Sequence, residues 1–155
     1  MMAVLEWLET TGLSVWVREG ESIWAFPTIL TLHTFGLGLL VGANTVINLR
    51  LLGIGRRMAL EPLRPLFKVM WGGFWLNAIT GSLLFAADAT SRGTSLFFAA
   101  KLVFVAIGVA TMVAIQRSVF DAPPGAPTGS PKLMALMSLG AWAAAITTGR
   151  LLAYV

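Results

Sequence analysis

Apolar residues in this chain fall into four long runs, with polar residues gathered between them. About 20 consecutive apolar residues are enough for a helix to cross the hydrocarbon core of a bilayer. Runs near 23–49, 66–87, 95–115 and 133–155 meet that length, so the pattern predicts four transmembrane helices. Ser22 is the expected N-cap of the first, and Pro27 sits in its first turns, where a missing N–H costs least. The joints are a basic loop punctuated by Gly53, Gly55, Pro62 and Pro65, a short connection from Asp88 to Thr94, and an irregular Pro-rich loop from Arg117 to Lys132. Ahead of the first run, Val4, Leu5, Leu8, Gly12, Val15 and Trp16 share one helical face, while Glu6, Glu9, Thr10 and Ser14 lie largely off it. That spacing predicts one short amphipathic helix in the membrane interface. The expected fold is therefore an all-α integral membrane protein: an interfacial segment, 1–21, followed by an antiparallel four-helix transmembrane bundle, 22–155.

Composition narrows this further. The chain is 57% hydrophobic and 12% charged, with a mean hydropathy of +0.80. A soluble domain carries roughly twice that share of charge. Cysteine is absent, which excludes disulfides, thiolate metal sites and covalent c-type haem attachment. No Lys/Arg-rich stretch precedes an apolar core at the N-terminus, so the first span is expected to stay in the mature protein. The net charge of +4 carries orientation rather than nucleic-acid binding. Arg50, Arg56, Arg57, Arg64 and Lys68 surround the first loop, and Arg117 and Lys132 flank the third. Glu6, Glu9, Glu19 and Glu21 dominate the N-terminal segment. The positive-inside rule then places both termini on the outer side of the membrane.

Within the first span stands the chain's one histidine, His33. An ionisable group at that depth is costly unless it pairs, ligates something or faces a polar cavity. Asn44 and Asn48 lie roughly 20° and 60° around the helix from it, on a shared face. Gly38 and Gly42 lie opposite as a small-xxx-small pair, and Gly73, Asn77, Thr80 and Gly81 form another small and polar stripe. Both stripes are expected to be packing seams, for helix contacts or for self-association with copies or a larger complex.

Two readings of His33 stay open. It could be a neutral imidazole bonded to Asn77 or Thr80, or a functional group: haem ligand, metal ligand or proton-transfer residue. A compact zinc or copper site is disfavoured by the lack of a second His, a Cys or a carboxylate at that depth. A b-type haem fits better. His33 lies about 15 Å along its helix from the outer end, and Lys101 and Arg150 lie about 6–8 Å from the outer ends of theirs. A macrocycle on His33 could point its propionates at Lys101 and Arg150, with Asn44 and Asn48 lining the inner end of the cavity. A single His leaves the second axial position to Met70, Met112, Met134 or Met137, to another subunit, or open.

Several stretches resemble an uncharacterised bacterial family of small four-helix membrane proteins. They are Leu32-His33-Thr34 with Gly36 and Gly42, Asn48-Leu49-Arg50-Leu51-Leu52-Gly53, Phe98-Ala99-Ala100-Lys101-Leu102, and Gly149-Arg150-Leu151-Leu152-Ala153-Tyr154. The likeness covers most of the chain from Pro27 onward and implies a bacterial inner membrane. More distantly, the layout is similar to the membrane protoporphyrinogen oxidase and copper-resistance-D-type families. In the oxidases a first-helix His and a Lys opening the third helix belong to a haem-associated site, and His33 and Lys101 stand at corresponding places. That resemblance implies haem binding; the mid-membrane His33 with the two outward cations leads to the expectation of a membrane redox protein serving electron transfer.

Overall fold

Residues 2–20, 22, 24–123, 129–152 and 154 are described by the computed structural model, and among them every regular element is helical. Two short helices open the chain, α1 (Met2–Glu9) and α2 (Gly12–Glu19). One continuous amphipathic helix was expected here, and its break has a local cause. The hydroxyls of Thr10 and Thr11 turn back onto the Trp7 and Leu8 carbonyls, each at 2.8 Å. Thr11 then caps α2 by accepting from the Ser14 N–H.

Helix α3 (Phe26–Leu52) carries Pro27 in its first turn and ends at Gly53, whose φ of 107° is left-handed. The Gly53 and Ile54 N–H groups close its last turn on the Arg50 and Leu49 carbonyls. A 3-10 turn, Glu61–Leu63, leads into α4 (Leu66–Ala86). The connection after it is itself helical, α5 (Ala89–Thr94), where the sequence suggested a plain joint. Helix α6 (Leu96–Ile115) runs into a π turn, Gln116–Phe120, and α7 (Pro131–Leu151) begins with Ser130 accepting from the Leu133 N–H. Three stretches, Phe26–Leu52, Glu61–Ala86 and Leu96–Phe120, are long and apolar enough to cross a membrane. Helix α7 is as long as α4 but richer in Ala, Gly, Ser and Thr. It packs between α3 and α6, where small side chains let backbones approach closely.

Packing runs in the order α4, α3, α7, α6. The α3–α4 crossing is set by two glycines. A methyl on Gly73 would sit 2.7 Å from the Gly36 carbonyl oxygen and 2.8 Å from the Leu40 nitrogen, so only glycine fits there. Gly38 and Gly42, the expected contact pair, have nothing within 4 Å of an added Cβ and face outward. On the other side, the Trp142 indole fills the space that a side chain at Gly108 would need, locking α7 to α6.

The main core lies toward the Arg50 end of α3. It joins Leu40 and Ile47 to Phe67 and Met70 of α4, Met112 and Ile115 of α6, and Trp142 of α7. Phe120 meets Phe67 edge-on at 5.0 Å, and Arg64 pins the π turn by donating to the Phe120 carbonyl and pairing with Asp121 at 2.6 Å. At the opposite end only a small cluster forms, from Val17, Ile29 and Ala87. There α1 docks on α5: Leu5 lies against Gly93, and Glu9 accepts from the Thr90 hydroxyl at 2.6 Å and its N–H at 2.7 Å.

Two outcomes follow from this packing. Gly73→Ala should cost about 1–3 kcal/mol through overpacking against backbone. Gly38→Ala should be neutral or slightly stabilising, because an exposed helix gains from the exchange. Thermal unfolding in detergent measures both. Separately, the Thr90 hydroxyl and backbone bonds hold the Glu9 carboxyl below its ordinary range. The docking they support is fully present above the unfolded glutamate value of about 4.3 and is lost as pH falls through the lower, folded value. A pH titration of the Thr90 amide resonance should therefore show a midpoint below the ordinary glutamate range, and Glu9→Gln should erase it.

Candidate functional site

His33 sits two turns into α3, half-buried on the face that meets α4. Its ring rests in a notch made by a missing side chain: a Cβ on Gly81 would lie 3.0 Å from the imidazole Cε1 and 3.5 Å from Nδ1. Asn77 donates from Nδ2 to the His33 carbonyl at 2.8 Å, fixing the backbone that carries the ring. Thr80 holds the ring itself, its Oγ1 3.0 Å from Nδ1. Both partners anticipated from the sequence are thus engaged, one on the backbone and one on the imidazole.

The Thr80 contact favours one tautomer of the neutral ring. A hydroxyl has one proton to donate. Thr80 Oγ1 lies 2.7 Å from the Leu76 carbonyl and 3.3 Å from that of Asn77, the i−4 and i−3 partners that a helical threonine donates to. If its proton is spent on those carbonyls, it accepts from His33, which calls for the proton on Nδ1. Nε2 is left with its lone pair, and no hydrogen bond among the described residues occupies it. A ring oriented through Nδ1–H with a free Nε2 is the arrangement used by metal-ligating histidines.

Lys101 lies one turn into α6, half-buried, with its stem extended along α7. Its Cδ and Cε are 3.4 Å, and its Nζ 3.5 Å, from the position a Cβ on Gly149 would take. No carboxylate or hydrogen-bond acceptor pairs with it among the described residues. Arg150, the next residue after Gly149, is exposed at the end of α7. No hydrogen bond among the described residues links Lys101 or Arg150 to His33.

Asn44 and Asn48 form a different assembly. They lie about 16 Å or more along α3 from His33. Both are fully buried against α7, where Asn48 donates to Ser138 Oγ at 3.2 Å and Ser138 donates to Asn44 Oδ1 at 3.0 Å. Asn44 Nδ2, Asn48 Oδ1 and the nearby Trp142 Nε1 are buried without partners. Ser138, which completes this clasp, was not singled out in the sequence: one serine in an alanine-rich helix gives no signal. Gly149 was quoted only for its motif, and its role as a bed for Lys101 needs the neighbouring helix to be seen.

Among the described residues no three His, Cys, Asp or Glu side chains gather as a metal-binding group. A ligand at Nε2 would thus be one that takes a single protein imidazole. No protein-family model, curated protein or solved structure matches the chain.

Because the chain has one histidine, its ring nitrogens can be read without assignment. The ¹⁵N spectrum of selectively labelled protein should show a protonated Nδ1 and an unprotonated Nε2. Thr80→Val should replace that single form with a mixture of tautomers. A protonated Nε2 in the wild type would refute the assignment.

Proposed function

We propose that the chain is a multi-pass membrane protein that holds a b-type haem through Nε2 of His33 and serves in electron transfer. The observation that carries this reading is the oriented imidazole, held through Nδ1 by a hydroxyl already committed to the backbone. Three apolar stretches and the 21-residue α7 support four spans in an antiparallel bundle. The basic first loop argues for cytoplasmic placement of the Arg50 end and outer placement of both termini, in a bacterial inner membrane.

The residues present suit the group. Gly81 lets the imidazole sit close against α4, Thr80 holds it at Nδ1, and Lys101 offers an unpaired cation for a propionate, with Arg150 available at the rim. Haem, when bound, would supply a one-electron iron couple. The protein's part is to orient one axial ligand, neutralise propionate charge and shield the site with the surrounding helices. Asn44 and Asn48, closed on Ser138, hold α3 to α7 and so keep Lys101 in register with His33.

Protein purified after expression with ample haem should show a Soret band. His33→Ala should abolish it, and Lys101→Ala should weaken haem affinity about tenfold, as loss of one charged hydrogen bond would. Absence of the band from the wild type would end this reading. A second reading, a non-catalytic subunit that packs on copies of itself or on a larger complex, is favoured by the open Gly38 and Gly42 face. Leu30, Phe35 and Leu39 line the apolar groove beside it. Mass measurement of the detergent-solubilised particle separates the two: a haem-free oligomer dispersed by Gly38→Leu supports the second, and a stable monomer opposes it.

A further inference from the structure

A cavity of about 560 Å³ opens at the His33 end of the molecule, between α5, the first turn of α6 and the segment just after α7. It is distinct from the Nε2 side of His33, and its lining has two characters. One wall is polar: Asp88, Ser91 and Arg92 from the α5 region, and Ser95 where α6 begins. The other is apolar: Phe97, Leu152 and Leu96, the last 82% exposed.

The polar wall has unused capacity. Neither the Ser91 nor the Ser95 hydroxyl is engaged in a hydrogen bond among the described residues, and Ser95 leaves the start of α6 without a side-chain cap. Arg92 Nε lies 3.1 Å from Asp88 Oδ2, within ion-pair distance, yet it is buried and too misaligned for a hydrogen bond to form. No hydrogen bond among the described residues engages its Nη1 or Nη2, so these are the donors it has to offer. One turn below Phe97 on α6 stands Lys101, which has no carboxylate partner and feels the Arg92 charge. In the cavity lining Arg92 and Asp88 balance, and Lys101, one turn along α6, adds a positive charge near it. That added charge attracts an anion, and the hydroxyls supply neutral donors beside the guanidinium. The exposed apolar wall would be a poor lining for a small hydrated ion, but it suits the glycerol and acyl portion of an amphiphile.

We propose that this cavity binds the phosphodiester of an anionic lipid, with Arg92, Ser91 and Ser95 on the phosphate and Leu96, Phe97 and Leu152 against the chain. Asp88 acts as an internal competitor for Arg92, so it sets how tightly the lipid is held. The groups that would hold the phosphate, Arg92, Ser91 and Ser95, are not among those that orient the imidazole; the Lys101 charge alone is shared with the haem reading.

Native mass spectrometry of the full chain, released from detergent with titrated phosphatidylglycerol, tests the proposal. One saturable lipid adduct is expected. Arg92→Gln should weaken it about tenfold, the scale of one charge-assisted hydrogen bond. Asp88→Asn should strengthen it by freeing the guanidinium. Arg117→Gln, at the other end of the molecule, should leave it unchanged. The opposite signs at positions 88 and 92 separate a lipid site from simple loss of fold, which would weaken binding in both variants. An adduct that does not saturate, or one indifferent to Arg92→Gln, overturns the proposal. So does displacement by inorganic phosphate at the lipid's own concentration, because the tail would then contribute nothing.

Discussion

The close approach of α3 to α4 at Gly36 and Gly73 is the constraint on which the His33 site depends. With the two backbones in contact, the next turns of α4 fall beside the imidazole. Asn77 reaches the His33 carbonyl, Thr80 reaches Nδ1, and Gly81 leaves room for the ring. A wider crossing would move all three away together. Membrane helices lack a strong hydrophobic drive toward each other, so contact at this range rests on small residues and on interhelical hydrogen bonds. Both occur along this single seam.

The rest of the molecule serves that seam from the other side. Trp142 against Gly108 makes α6 and α7 one unit, and the Asn44–Ser138–Asn48 clasp fixes that unit to α3. Lys101 travels with the unit, because its stem lies on Gly149 of α7. The molecule is thus unevenly filled. Large apolar side chains pack the Arg50 end, while the His33 end is built from part-buried polar groups and glycines.

Much of the fold could be read from the chain because long apolar runs have few alternatives to helix, and because Gly53, Pro27 and Pro131 mark helix ends. Thr80 and Asn77 could be named as partners of His33 since few polar groups stand in the second run. Other features depend on relations between helices, which one-dimensional spacing does not hold. Gly38 and Gly42 have the spacing of a contact pair, yet the phase of α3 turns them outward and brings Gly36 to the interface instead. Asn44 and Asn48 share a face with His33 in projection, but their distance along the axis and the presence of Ser138 assign them to separate work. The break at Thr10 escaped notice because side-chain hydroxyls competing for backbone carbonyls leave no mark on the apolar pattern.

The π turn closing α6 adds one residue to a helical turn, and the Asp121 N–H bonds back to the Gln116 carbonyl at 3.0 Å. Relative to an uninterrupted α-helix, everything beyond the bulge is rotated by about 100°. That rotation is what seats Phe120 on Phe67 and brings Asp121 to Arg64. The exit direction of the chain from α6 is therefore set by a local change of helical pitch.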